Sequence, residues 1–442
     1  MVYFILNMAG FIAGFDKIFK EPFGVTINFA PFLYTGAFLL ILCALFFPSS
    51  VWTGLSFVIF FSPLWLPFLL FVSAKELWLI YVRSKFIHAQ DNVVLELLMP
   101  REVMKSPLAM EAVLSGLHQG PGEGDWYSKW VAGKVRPWWS FEMVSMEGKI
   151  HFYVWTRKSF APLVRAQFYA QYPDMQIIDV PDYAFSTDAS PHKMKVWGCQ
   201  FALTQPDPYP IKTYVDYGLD QNPKEEFRID PLSNVIEFLG AIKKGEQIWI
   251  QIMFRVTKKE KHGDKDWKKE GQDVIKEIME EGSVDKDEEG GGKILRLTEG
   301  QKDKIKAIER NTAKLGFDVG IRALYIAEPD AFSATNISGI TAVWKQFSSE
   351  NLNGFKPSGG MTAFKGYPWE DKSEKKRNEV REGLAEAYKY RGYFHHPYQD
   401  EHFVLSTEEL ATIFRPPSKT VATAALARIP SLTVEAPPNL PI

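Results

Sequence analysis

Three histidines and two carboxylates fall within eight residues in His395-His396-Pro397-Tyr398-Gln399-Asp400-Glu401-His402. Imidazole and carboxylate are ligands that zinc and nickel accept, so this run is the first place to look for metal chemistry. Adjacent histidines point in different directions on any regular backbone, however, and Pro397 imposes an extended turn before His402. Without a distant ligand set, a polar loop is the stronger reading, and neither a metal ion nor another cofactor is expected. A second cluster, Trp126, Trp130, Trp138 and Trp139, has the side chains on which nucleic-acid bases stack. Only Lys129, Lys134 and Arg136 interleave with it, so core packing or a protein contact is preferred.

The remaining chemistry is mostly excluded by pattern. No G-x-x-x-x-G-K-[ST] cradle for phosphates occurs, and Ser358-Gly359-Gly360 lacks the lysine that such a loop requires. HExxH, GxSxG and a strand-borne GxGxxG are missing too. The two cysteines, Cys43 and Cys199, form neither a disulfide framework nor a thiolate zinc set. A formal net charge of -2 supplies no global field for polyanions. No catalytic residue is assigned, and the expectation is a protein that is not an enzyme.

The elements that must position these residues begin at a membrane. From Asn28 to Val72 there is no Asp, Glu, Lys or Arg, and Pro48-Ser49-Ser50 divides the stretch into two runs, each of about 20 residues, long enough to span a bilayer. A transmembrane helical hairpin over 28–72 is therefore expected, with a tight turn at the break and kinks at Pro63 and Pro67. Lys17 and Lys20 precede it and Lys75, Arg83 and Lys85 follow, which places both flanks in the cytoplasm by the positive-inside rule. Residues 1–27 read as an interfacial segment and 73–90 as a membrane-proximal helix. The lipid bilayer is thus one partner, and the localisation is the inner, cytoplasmic membrane.

The soluble region reads as α+β. Val93–Met99, a helix from Ser106-Pro107 to His118, the runs Trp138–Met146 and Lys149–Thr156 about Glu147-Gly148, a helix from Ser159 and a strand Met175–Val180 give the order βαββαβ. That is the ferredoxin-like arrangement, assigned to residues 91–190. A second, related α+β domain is expected over 191–415, with strands at Lys195–Thr204, Gln247–Val256 and Phe317–Ala327 and helices near 232–243, 297–315 and 333–347. Residues 257–293 are dense in charge and glycine and read as a flexible insertion. The Pro-rich residues 416–442 read as an extended tail. Ser406-Thr407-Glu408-Glu409 has the pattern of a capping box, opening a helix that Pro416-Pro417 must end.

The segments Met99–Glu102, Lys105–Glu111, Val144–Val154, Phe168–Asp174, Asn351–Pro357 and Phe403–Thr412 resemble the N-terminal region of an uncharacterised family of bacterial membrane-anchored proteins, a domain of unknown function that is similar to the non-motor region of type IV secretion and conjugation ATPases of the HerA/FtsK, TraG-like class. The resemblance spans most of residues 90–442. It implies a P-loop motor beyond the Pro-rich run Arg428–Pro441, and the sequence ends at Ile442, so no nucleotide-binding residue carries over. A non-catalytic membrane-anchored adaptor of a translocation apparatus is the expectation, with a P-loop ATPase acting in trans and docking at Phe403, Leu410 and Phe414. Direct nucleic-acid binding is not expected, and homo-oligomerisation stays open. The alternatives are a membrane-face enzyme centred on His395, His396 and His402, or a nucleic-acid-binding module.

Overall fold

The computed structural model describes residues 48–99, 105–119, 125–187, 193–220, 230–257, 266–285, 293–295, 297–362 and 374–417. The interfacial segment 1–27, the first run of the hairpin up to residue 47, and the tail from 418 lie outside these residues. The chain divides into two compact units between Trp78 and Leu79.

The first unit contains helix α1, Pro48–Phe60, and most of helix α2, Ser62–His88. Pro48-Ser49-Ser50 lies in α1, where a turn between two spans was expected. The chain breaks at Phe61 and resumes just before Pro63, while Pro67 sits inside α2. Among the described residues one helix, α2, is long and apolar enough to cross a membrane. The two-span topology expected from the sequence is therefore not supported among the described residues.

The second unit is mixed α and β. Strand β1, Asn92–Leu98, leads to α3, Leu108–Leu117, then α4, Trp126–Trp130, the hairpin β2, Trp138–Met146, and β3, Lys149–Arg157, α5, Ala161–Gln171, β4, Gln176–Val180, and α6, Tyr183–Ser186. The chain continues through β5, Lys195–Leu203, α7, Pro231–Gly240, β6, Glu246–Val256, α8, Trp267–Glu281, β7, Ser283–Asp285, β8, Lys293–Leu295, α9, Glu299–Ala313, and β9, Gly316–Ala327. It closes with α10, Ala334–Ala342, β10, Phe355–Ser358, α11, Lys375–Lys389, β11, Phe403–Ser406, and α12, Thr407–Ile413. The β2–β3 turn is the one expected: Glu147 and Gly148 have φ of 52° and 83°, as a two-residue hairpin turn demands.

Nine strands form one antiparallel sheet in the order β10-β5-β9-β6-β2-β3-β1-β4, with β11 pairing β9 beyond the end of β5. The division expected at 190–191 thus falls inside a single sheet. The order β4-β1-β3-β2 is repeated by β10-β5-β9-β6, with a helix after the first and third strands of each set. The two sets meet edge to edge through their second strands, β2 and β6, in register from Trp138↔Arg255 to Met146↔Gln247, with Glu142↔Gln251 at the centre.

Alternation along the central strands separates two faces. Trp139, Phe141 and Met143 of β2 and Ile250, Ile252 and Phe254 of β6 join the larger core, covered by α3, α5, α7 and α12. Trp138 and Val144, Trp249 and Met253, and Leu324 and Ile326 face the other way, under α6, α11 and the residues just after α11. Gly320 of β9 is needed on this second face, because a Cβ there would lie 2.3 Å from the Tyr393 ring. The charged insertion is not flexible throughout. Residues 267–281 form α8, capped by Asp266, and its Val274 and Ile278 pack on Ile305 and Ile308 of α9. Apolar residues four apart give it a helical stripe that the overall charge conceals. Residues 258–265 and 286–292 lie outside the described residues.

The C-terminal segment seals the larger core. The Ser406–Glu409 capping box forms as expected, with reciprocal side-chain to backbone hydrogen bonds. Phe403, Leu410 and Phe414, expected as anchors for a partner, are buried in the core, and the Phe414 ring stacks on Phe141 at 4.4 Å. That placement corrects the docking expectation: they are apolar because they complete this chain's own sheet. Arg415 ion-pairs with Asp230 at 2.5 Å and caps the end of α12.

Glu409 is buried, and desolvation pushes its pKa up to about 7, although hydrogen bonds from the backbone N–H groups of Ser406 and Ile211 pull the other way. A carboxyl raised in the folded state contributes stability that is complete below its unfolded value near 4.5 and is lost as pH rises through 7. Glu409→Gln removes the charge and keeps one of the two accepting oxygens, a loss that is the same at every pH. Its midpoint of thermal unfolding, relative to wild type, should therefore rise between pH 5 and pH 8; a pH-independent difference would contradict the assignment.

Candidate functional site

The second face of the sheet carries polar residues where a core would ordinarily be apolar. Glu142, fully buried at the seam of β2 and β6, accepts hydrogen bonds from Ser140 at 2.8 Å, Gln251 Nε2 at 3.0 Å and Tyr183 at 2.7 Å. It also accepts from Arg391 Nε at 3.0 Å and Nη2 at 3.1 Å. Arg391 Nη1 bonds Asp182 and donates to the Lys389 carbonyl at 2.8 Å. Burial alone would raise the Glu142 pKa, but the Arg391 guanidinium and the surrounding donors hold it below its ordinary value. Arg322 donates to Gln251 Oε1 at 3.2 Å and to the Gly392 carbonyl at 3.1 Å. Arg255 and Arg136 share Asp318, at 2.9 and 3.1 Å.

Arg391 reaches Glu142 because it follows α11 with a φ of 48°, where the Gly392 N–H returns to the Ala387 carbonyl. That left-handed position after a helix is usually glycine. The buried ion pair holds the arginine there.

Beside this network lies a cleft of about 640 Å³, inside the range of ordinary small-molecule sites. Its walls are the last turns of α2, the start of β2 and the end of β3, α6, and residues 389–398. Arg157, at the end of β3, lines it at 7% exposure, its guanidinium 5.3 Å from the Phe86 ring and 5.1 Å from Trp138. Its Nη2 is buried without a hydrogen-bond partner among the described residues, and burial lowers its pKa to about 10. His395 also lines the cleft, with its ring 6.0 Å from Trp138 and its Nε2 buried and unpartnered among the described residues. Burial, followed by the nearby Arg255, Arg83, Arg136 and Arg157, pushes the His395 pKa down to about 2, so the ring is neutral at ordinary pH.

The histidine run does not converge on one point. His395 lines the cleft, His396 is exposed, and His402 Nε2 lies 3.6 Å from Asp318 while its ring meets Phe394 edge-on. The His396–Pro397 bond is cis. Among the described residues no group of three or more His, Cys, Asp or Glu side chains could hold a metal ion. The tryptophans separate as well. Trp138 and Trp139 take opposite faces of β2, whereas Trp126 stands on α4 at 71% exposure. Cys199 is buried, its thiol pushed up to about 12.

A family model described as a domain of unknown function, DUF8128, matches residues 89–428. The chain belongs to the DUF8128 family. No curated protein matches the sequence. The match begins at the end of α2, so the DUF8128 region includes the whole sheet, the buried network and most of the cleft wall.

Sequence reasoning pointed to His395 but missed Arg157, Glu142 and Arg391. The signal that could have found Glu142 was charge inside alternating strands: Glu142, Arg255, Asp318 and Arg322 each interrupt an apolar run on a central strand of this DUF8128 sheet. Removing one member of a buried pair strands its partner's charge at a cost of about 3–5 kcal/mol, whereas removing both costs less. Arg391→Met is therefore expected to lower stability by about that much, and Glu142→Gln together with Arg391→Met to recover most of it. Urea unfolding of wild type, Arg391→Met, Glu142→Gln and the double variant checks this, and additive losses would refute the coupling.

Proposed function

We propose that this chain is a non-catalytic, membrane-anchored adaptor whose sheet-bearing unit binds a ligand or partner at the cytoplasmic face of the inner membrane. The observation that carries this reading is the side-chain exposure along α2, where Leu64 is 75% and Phe68 73% exposed on a helix long enough to span. An apolar surface of that extent is stable only when lipid or protein covers it. Lys75, Arg83 and Lys85 lie beyond the apolar stretch and favour a cytoplasmic position for that end of α2. The buried carboxylates Glu142, Asp318 and Asp230 are each tied to an arginine, which favours a structural role for them over acid–base work.

Two finer elements belong to the same proposal. The repeated strand order supports two ferredoxin-like halves descended from a duplication. The resemblance of Asn351–Pro357 and Phe403–Thr412 to the non-motor region of HerA/FtsK, TraG-like proteins supports work beside a separately encoded P-loop ATPase. Its docking surface lies outside the buried Phe403–Phe414 segment.

The full chain is expected to stay with alkali-washed membranes, to need detergent for release, and to retain a co-expressed P-loop ATPase encoded beside it through detergent purification. Release by alkali alone would contradict the anchor, and loss of the ATPase at the first affinity step would contradict the adaptor role.

A further inference from the structure

We infer that the cleft under residues 389–398 is a binding site for a phosphate group, carried by a lipid headgroup or a soluble phosphate ester, with Arg157 and His395 as the side chains that hold it. This inference does not depend on the motor-partner reading. The buried arginines around the cleft have oxygen partners: Arg391 has Glu142 and Asp182, Arg255 has Asp318, and Arg322 has Gln251 and the Gly392 carbonyl. Arg157 differs from them: its guanidinium makes no hydrogen bond among the described residues, and its Nη2 is buried on a residue that lines the cleft, whereas Arg322, whose Nε is also buried without a partner, is answered at both of its other nitrogens. A buried cation with an unanswered donor is costly, and a fold retains one most readily where an anion answers it.

His395 supplies the second donor in the tautomer that carries its proton on Nε2. Its Nε2 is also buried and unanswered among the described residues, and both it and the Arg157 guanidinium lie against the Trp138 ring. A guanidinium and an imidazole N–H on one wall suit a group with several acceptor oxygens, and phosphate has more of them than a carboxylate. The field has the right sign, since Arg83, Arg136, Arg157 and Arg255 all act on His395. Among the described residues Asp182 is the one carboxylate side chain lining the cleft, and Arg391 binds it. The volume leaves room for a body beyond the phosphate, and Phe185, Tyr390 and Tyr398 line the cleft with rings in contact. Ser84 and His88 of α2 also line it and follow Trp78 by only six and ten residues in the chain, so a lipid headgroup is as natural a source as a soluble ester.

The test uses the full chain in lipid nanodiscs. One arm titrates glycerol phosphate into phosphatidylcholine discs, and the other raises the fraction of phosphatidylglycerol without soluble phosphate. The readouts are the thermal midpoint and hydrogen exchange of residues 389–398. A saturable rise in midpoint with slower exchange is expected in at least one arm, the responding arm naming the source. Arg157→Met should weaken that response at least tenfold while leaving the ligand-free midpoint unchanged or higher, because the unanswered cation is gone. If Arg157→Met fails to fold, His395→Leu replaces it with the same expected loss. No saturable response in either arm, or an equal response in the variant, would overturn the site.

Discussion

The pairing of β2 with β6 is the constraint on which the rest of the second unit depends. Among the described residues it is the strand pairing that joins two four-stranded sets of the same order, and it is nearly saturated, from Trp138↔Arg255 to Met146↔Gln247. The middle of that seam is where Glu142 lies opposite Gln251. A slip of one residue would turn Glu142 onto the apolar face and Phe141 or Met143 onto the polar one, so burial fixes the register strongly. The long-range network fixes it again. Arg391, 249 residues after Glu142, reaches it only when α11 lies over the seam with Arg391 in its left-handed position.

Much of this is legible in the amino-acid sequence. Alternation and turn residues locate β2, β3, β5, β6 and β9 to within a residue or two, and the capping box at Ser406 locates α12. Local patterns report elements because each strand must bury one face. The joining of the two sets is not legible, because nothing in Trp138–Met146 names Glu246–Val256 as its neighbour. The repeat is hidden as well: β7, β8, α8 and α9 intervene between β6 and β9, where β2 and β3 have a two-residue turn. Composition misleads twice. The charge of residues 257–293 conceals the apolar stripe of α8, and the apolar character of Phe403, Leu410 and Phe414 suggests an outward surface where the sheet needs its own cover.

The candidate site arises from the same asymmetry. One face of the sheet is sealed by helices and is largely apolar along its central strands, while the other admits several arginines, of which Arg157 and Arg391 line the cleft. Glu142, Asp182 and Asp318 stabilise three of those cations, Arg391, Arg255 and Arg136, by direct contact. Arg157 has its aromatic neighbours and an unanswered Nη2. His395 is visible in the sequence as part of a histidine run, but its relation to Arg157 exists only because residues 389–398 fold back over the end of β3.

If the two strand sets are one cooperative body held at the β2–β6 seam, native-state hydrogen exchange on the detergent-solubilised full chain, measured through a urea series, tests it most directly. Amides of β1 and β3 should converge with those of β5 and β9 on a single global opening, with one dependence on urea, since neither set can open without exposing the seam. Two separate openings, with one set exchanging while the other stays protected, would show that the sets fold independently and would contradict the account.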